Sequence, residues 1–183
     1  SSFNDVAGTL ITAEDNIMME APLISGIAFT RDEAKLTLRG VKDQPGIASS
    51  ILAPISEANI EVDMIVQNIG ADFSTDFTFT VARADFELAQ SILTAVSERI
   101  GAQEVLGDER IAKLSIVGVG MRSHAGVAAQ MFDILAKESI NIQMISTSEI
   151  KISVVIDEKY LELAVRALHA GFGLEADLGA ESA

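Results

Sequence analysis

The chain carries one segment twice. Residues 36–66 (LTLRGVKDQPGIASSILAPISEANIEVDMIV) recur in recognisable form as residues 114–146 (LSIVGVGMRSHAGVAAQMFDILAKESINIQMIS). Gly46 then corresponds to Gly126, and the loop before it is two residues longer in the second copy. An internal repeat indicates two copies of one structural unit. The 183 residues therefore divide into two small domains of about 70–80 residues each.

Apolar periodicity predicts the same elements in both copies. Alternating apolar and polar residues are typical of strands, and an apolar stripe at helical spacing is typical of amphipathic helices. In the first copy we predict strands over residues 34–41, 60–66 and 76–81, a helix from Ile47 that stops near Asn59, and a helix over residues 85–100. In the second copy we predict strands over residues 112–119, 140–146 and 151–156 and helices over residues 126–138 and 158–172. Pro54 lies inside the first helix and should kink it or end it early.

A β-α-β-β-α-β unit of this size is the ferredoxin-like arrangement, with two helices on one face of an antiparallel sheet. We therefore predict an α+β fold with two such domains, over residues 23–104 and 105–183, after a linker over residues 1–22. Residues 24–29 (ISGIAF) form a further strand. This strand pairs either with residues 34–41 or with the sheet of the other copy.

Composition excludes several classes of function. The net charge is −14, with 27 acidic residues against 13 Lys and Arg, and such a surface repels the phosphates of nucleic acids. No apolar run approaches the roughly 20 residues that span a bilayer. The chain has no Cys, which excludes disulfides and thiolate metal sites and fits a cytoplasmic protein.

Candidates for catalysis are few. The only histidines are His124, in the loop before the second copy's first helix, and His169, near the end of the last helix. The expected roles are a solvent-facing loop residue and a cation at a helix C-terminus. Metal chaperones and acylphosphatases share the fold class, but here the loop lacks soft ligands and Arg122 has no partner pattern. We predict no catalytic residue, no metal and no cofactor.

A small-ligand site is the remaining possibility, at the junction of the loop at residues 42–46 with the first helix. A helix N-terminus offers unpaired N–H groups that suit a carboxylate, and Gly46 permits close approach. Asp43, Glu61 and Asp63 could hold an ammonium group, and Gln67 could contact a side chain. The alternative is that Gly46 only ends a strand and Asp43 only caps a helix.

Several blocks together resemble one family. They are Asp43-Gln44-Pro45-Gly46, IEVDMIVQN at residues 60–68, DFTF at 76–79, INIQMISTSEIKISVV at 140–155 and AVRALH at 164–169. They resemble the tandem ACT domains of the regulatory region, or β subunit, of aspartate kinases. The resemblance implies that residues 1–22 lead out of a kinase domain and that the chain is regulatory and not itself an enzyme. It leaves open a natural small subunit or a piece of a full-length kinase.

The resemblance also implies an effector site at an interface between ACT units of a homodimer, filled by threonine, lysine or both. In the first copy it maps onto Asp43, Gln44, Pro45, Gly46, Ile47, Ala48, Glu61, Val62, Asp63 and Gln67. The facing wall maps onto Asn141, Ile142, Gln143, Ser148, Glu149 and Ile150, with Ala128 and Ala129 as a further contact. Effector binding would feedback-inhibit aspartate phosphorylation in lysine, threonine and methionine biosynthesis, through the catalytic domain or subunit as partner. The alternatives are a scaffold that only dimerises catalytic chains, and an ACT sensor attached to a different biosynthetic enzyme.

Overall fold

The computed structural model describes residues 23–70, 74–119 and 125–174. The strands in these ranges are β1 (Leu23–Thr30), β2 (Glu33–Lys42), β3 (Val62–Ile69), β4 (Ser74–Ala82), β5 (Glu104–Asp108), β6 (Ile111–Val119), β7 (Met144–Thr147) and β8 (Lys151–Asp157). The helices are α1 (Ile47–Glu57), α2 (Phe86–Ile100), α3 (Ala125–Lys137) and α4 (Leu161–Phe172). The predicted linker over residues 1–22, together with Arg122 and His124, lies outside the described residues.

Each copy builds one four-stranded antiparallel sheet. The first has the spatial order β3-β4-β2-β5, and the second has the order β1-β6-β8-β7. Neighbouring strands are antiparallel throughout both sheets. With two helices for each copy, this is the ferredoxin-like arrangement. The predicted α+β fold is confirmed.

β1 supplies the fourth strand of the second sheet although it precedes the whole first copy. Its register places Gly26 opposite Val117 and Phe29 opposite Leu114 of β6. Of the two partners that the sequence left open, β1 therefore takes the sheet of the other copy. The chain begins the second sheet, builds the entire first sheet, and then returns to complete the second.

β5 occupies the corresponding fourth position in the first sheet and has no counterpart in the predicted elements. It spans the predicted domain boundary between residues 104 and 105, and it pairs with β2. Its sequence, EVLGD, places only Val105 partly against the core and leaves Leu106 42% exposed. An edge strand with so little apolar alternation gives no periodic signal.

The helices cover one face of each sheet. In the first copy, Ile47, Ile51 and Ile55 of α1 are buried in one core with Phe77 and Phe79 of β4. Their spacing of four residues places them on one stripe of the helix. Burial of each such side chain stabilises the fold by roughly 1.5–3 kcal/mol relative to exposure. The second copy builds a matching core with α3 and α4.

α1 continues through Pro54 to Glu57, so of the two expected outcomes, a kink or an early end, the early end is wrong. Proline lacks the N–H that would bond to the carbonyl of Ser50, four residues earlier. The guanidinium of Arg99, on α2, donates to that carbonyl oxygen at 3.3 Å. The neighbouring helix thus supplies the donor that Pro54 lacks. The predicted stop near Asn59 is confirmed, and Asn59 adopts a left-handed φ of 58°.

Candidate effector site and the contact between the copies

The loop between β2 and α1 is open to solvent. Residues 43–46 are exposed, and Gly46 has φ 89°, a left-handed conformation that favours glycine. The N–H of Ile47 donates to the carbonyl of Gln44 at 3.2 Å and that of Ser50 to the carbonyl of Gly46 at 3.0 Å. In the described part of the chain, the N–H groups of Ala48 and Ser49 have no such acceptor. The amides available to a carboxylate are therefore those of Ala48 and Ser49, in the first turn of α1.

The three candidate acids have different surroundings. Asp43 and Glu61 are exposed. The carboxylate of Asp63 accepts a hydrogen bond from the ammonium of Lys113, a β6 residue of the second copy. Asp63 is thus already engaged by a cation. Glu61 precedes β3 at the end of the first sheet opposite to the end that carries Asp43 and the loop. Asp43 is therefore the acid left beside the loop to meet a ligand ammonium.

Gln67 lies on β3, the edge strand of the first sheet, opposite Phe77 of β4. Directly opposed residues of an antiparallel pair share a face, so Gln67 is on the side of the sheet that carries the helices. Its neighbours on that face, Ile65 and Ile69, are 50% and 66% exposed. β3 therefore presents an exposed apolar stripe with Gln67 in its middle. Within the described chain, no other strand pairs with this outer edge of β3.

The residues of the predicted facing wall lie elsewhere in the same chain. Ile142 and Gln143 lead into β7, and the side-chain oxygen of Gln143 accepts a hydrogen bond from Lys35 of β2. Lys35 and Asp43 are at opposite ends of β2, roughly 25 Å apart at the usual rise per residue. One chain therefore does not bring the two halves of the predicted site together.

The remaining predicted residues belong to a turn and a helix of the second copy. Ser148, Glu149 and Ile150 are exposed in the turn between β7 and β8, where the N–H of Ser148 donates to the carbonyl of Lys151 at 2.8 Å. Ala128 packs partly against the second core, and Ala129 is exposed on α3. Val62 and Asn141 complete the set, partly buried and exposed respectively.

The two copies contact each other through a small apolar cluster of Met64, Ile111, Met144 and Val155. Met64 and Met144 hold corresponding positions in the repeat, whereas Ile111 and Val155 both come from the second copy. The presence of both methionines in one cluster is expected of two units related by an approximate twofold axis.

Two lysines at corresponding positions flank this cluster, and sequence reasoning did not single them out. Lys113 contacts the carboxylates of both Glu33 and Asp63. Burial alone would lower the pKa of Lys113, but hydrogen bonds to the two carboxylates raise it above 10.5. Burial lowers the pKa of Lys35, against a smaller opposing effect of Asp108. The available signal was a lysine at the same position of the repeated strand in each copy, between Ala and Leu in both.

Residues 23–70, 74–119 and 125–174 contain no group of three or more His, Asp or Glu side chains arranged to hold a metal ion. None of the helices in these ranges is both long and apolar enough to cross a membrane.

Comparisons with known proteins agree with the repeat. Residues 37–96 and 114–172 each match the ACT domain family. An aspartate kinase of Pseudomonas putida KT2440 is 69% identical over 175 residues, which is 96% of this chain and 43% of that kinase. The chain thus spans less than half the length of this relative.

Two solved structures cover the same region. One, described as aspartokinase alpha and beta subunits, is 55% identical with a TM-score of 0.77, and covers 82% of this chain and 99% of its own. The ligand-free regulatory subunit of aspartate kinase from Thermus thermophilus is 41% identical with a TM-score of 0.78 and the same coverage. The chain therefore belongs to the ACT domain family, as a tandem ACT pair of the kind that forms the regulatory part of aspartate kinases.

Proposed function

We propose that this chain senses threonine, with lysine as a co-effector, and transmits their binding to the catalytic domain or subunit of an aspartate kinase. The observation that carries the proposal is the start of α1 in a confirmed ACT unit. There an exposed loop, a left-handed Gly46 and the amides of Ala48 and Ser49 form an open site. Such a site suits the carboxylate of a small amino acid.

The surrounding residues supply the other contacts that a zwitterion needs. Asp43 carries the charge that would hold its ammonium group, since Glu61 lies at the other end of the first sheet. Gln67 offers both a donor and an acceptor, and it would bond the hydroxyl of threonine. A ligand that lacks this hydroxyl would leave the Gln67 amide unpaired, and the site would therefore bind it less tightly than threonine.

A second copy of the chain completes the site in this proposal. β3 and β7 each form one edge of their sheets, and Ile65 of β3 and Ile145 of β7 are 50% and 45% exposed. Open edges with apolar side chains pair readily with another strand. Pairing these edges in a homodimer would bring residues 141–150 of one chain towards the loop at residues 43–46 of the other.

Binding at such an interface would favour one arrangement of the dimer. In the whole kinase, this preference would act as a coupling free energy of about 1–3 kcal/mol between effector and catalytic site. The result would be feedback inhibition of aspartate phosphorylation in the cytoplasm, within the biosynthesis of lysine, threonine and methionine.

Calorimetric titration of the chain with threonine and with lysine tests the proposal. We expect saturable heat with threonine, and a rise in melting temperature that Gln67→Ala abolishes. Gln103→Ala removes an exposed glutamine outside the proposed site and should leave the response unchanged. A folded, dimeric chain that gives no heat with either amino acid would overturn the sensor and favour the scaffold.

A further inference from the structure

The corresponding lysines Lys113 and Lys35 have different partners. The ammonium of Lys113 is held between the carboxylates of Glu33 and Asp63. Lys35 instead donates to the neutral amide oxygen of Gln143, which stands where the first copy has Asp63. Within the described ranges, no carboxylate lies within 4.0 Å of the Lys35 ammonium.

The second carboxylate is also missing. At the position that corresponds to Glu33, the second copy has the fully buried Ile111. Lys35 is half-buried, and Asp108, its partner in the register of β2 with β5, offers an opposite charge but no contact with the ammonium. A half-buried ammonium that no carboxylate contacts is costly. In the second copy, the corresponding ammonium of Lys113 binds the oxygen atoms of two carboxylates.

Lys35 also faces open space. A cleft of about 450 Å³ lies between the first sheet and the segment entering β7. Its polar lining is Lys35, Thr37, Asn68, Thr78 and Gln143, and four apolar residues form the remainder of its wall. This volume is within the usual range for small-molecule sites.

The corresponding place around Lys113 is closed. The hydroxyls of Ser115 and Ser153 are 2.7 Å apart there, and the two residues are only 6% and 3% exposed. Their counterparts Thr37 and Thr78 form the same contact at 2.9 Å, but both are partly exposed and line the cleft. The duplication therefore provides one filled and one unfilled version of the same arrangement.

The charges around the cleft define the class of ligand. No acidic side chain lines it, so it offers no partner for a ligand ammonium group. Its single cation and its hydroxyl and amide groups suit a carboxylate and neutral oxygen atoms. An amino acid would leave its ammonium unpaired there.

We propose that the Lys35 cleft binds a small carboxylate without an amino group, such as a dicarboxylate or a 2-oxo acid. The ligand carboxylate takes the place that the side chains of Glu33 and Asp63 take around Lys113. Within one chain this site is distinct from the loop of the threonine site, because Lys35 and residues 43–46 are at opposite ends of β2. The two sites share the segment that contains Gln143, which the proposed homodimer brings towards the loop of the other copy.

Calorimetry with succinate and with its neutral analogue succinamide tests the site. We expect saturable binding of succinate with a dissociation constant of about 1 mM or tighter, and no binding of succinamide. Lys35→Met should weaken succinate binding by at least about tenfold, since a charge-assisted bond is lost. Lys137→Met, which removes an exposed cation on α3, should leave it unchanged. Absence of saturable heat, or equal affinity in Lys35→Met, would overturn the proposal.

A second variant keeps the lysine and supplies the carboxylate internally. Gln143→Glu should abolish succinate binding in a folded chain, because its own carboxylate then occupies the ammonium. Unchanged succinate affinity in Gln143→Glu would overturn the proposal even if Lys35→Met failed to fold.

The carboxylate could also come from a side chain of a second copy, and light scattering without succinate separates these sources. If the Lys35→Met variant self-associates like the unsubstituted chain, the carboxylate comes from a free ligand and the proposal is supported. Loss of self-association in this variant would assign the carboxylate to a second copy and overturn the small-ligand proposal. Heat from threonine should persist in Lys35→Met, so that failure of one site is distinguishable from failure of the other.

Discussion

Arg83 and Glu158, which occupy corresponding positions at the ends of β4 and β8, form an ion pair with each other. The guanidinium contacts the carboxylate at 3.2 and 3.4 Å and donates to the carbonyl of Ile111 at 3.2 Å. Their backbone N–H groups make matching bonds, from Arg83 to Asp32 and from Glu158 to Arg110. One position of the repeat thus holds a cation in the first copy and an anion in the second, and these two side chains meet where the copies contact each other.

Arg83→Met should lower the free energy of unfolding by about 1–3 kcal/mol, because it leaves a partly buried carboxylate and a backbone carbonyl without their donor. The Arg83 and Glu158 side chains are 33% and 28% exposed, so solvent screens only part of the effect. Denaturant unfolding measures it. Combining Arg83→Met with Glu158→Gln should cost less than the sum of the single changes.

The matched control is Lys137→Met, which breaks the pair of Lys137 with Asp133 on the surface of α3. Both side chains are more than half exposed, and such pairs contribute about 0–1 kcal/mol. Equal losses for the exposed and the partly buried pair would contradict a structural role for the Arg83–Glu158 contact.

The free energy of unfolding should fall at alkaline pH as Lys113 loses its proton. Hydrogen bonds to Asp63 and Glu33 outweigh burial and raise its pKa above 10.5, so the folded state holds this proton more tightly than the unfolded state. The stabilisation is fully present below about pH 10.5 and is lost as the pH rises through the higher folded-state pKa. Urea unfolding from pH 8 to pH 11.5 should therefore show a fall in stability above pH 10.5 that is smaller in Asp63→Asn. The same slope in both proteins would contradict this role of the triad.

Lys35 should affect the pH dependence of stability in the opposite direction to Lys113. Burial lowers its pKa in the folded state, so its charged form destabilises the fold, and this penalty is relieved as the pH rises towards 10.5. In the same titrations, Lys35→Met should remove a gain in stability just below pH 10.5. A variant that follows the unsubstituted chain throughout that range would show that Lys35 is not desolvated by the fold.

The fold was largely predictable because the strands alternate and the helices carry apolar stripes. The partner of β1 was not, because the repeat creates two similar strands, β2 and β6, each with an edge that β1 could pair with. β5 takes the edge of β2 and leaves that of β6 for β1, but β5 itself has no apolar periodicity. For the candidate site, the sequence located the loop and Gly46, whereas the engagement of Asp63 by Lys113 arises from packing of distant strands.

The fourth strand of each sheet contains a glycine, and the two glycines should differ sharply in tolerance. A Cβ at Gly107 of β5 would lie 2.5 Å from a ring atom of Phe86, which is 7% exposed in the first core. Gly107→Ala should therefore cost about 1–3 kcal/mol through overpacking. A Cβ at Gly26 of β1 would meet nothing within 4 Å, so Gly26→Ala should change the unfolding free energy by less than about 0.5 kcal/mol. Similar losses at both sites would mean that β5 does not lie against Phe86.

The contact between α1 and α2 at Pro54 gives a thermodynamic cycle. Pro54→Ala restores an N–H that can reach the carbonyl of Ser50 within α1. It should raise stability by about 1–2 kcal/mol, since a proline inside a helix costs about 3 kcal/mol and part of this is offset by its restriction of the unfolded chain. Arg99→Ala should cost about 0.5–1 kcal/mol in the unsubstituted chain, because the Ser50 carbonyl then loses its donor. In the Pro54→Ala background the same change should cost almost nothing, and denaturant unfolding of the four proteins closes the cycle. An equal cost of Arg99→Ala in both backgrounds would show that Arg99 stabilises the fold by another contact.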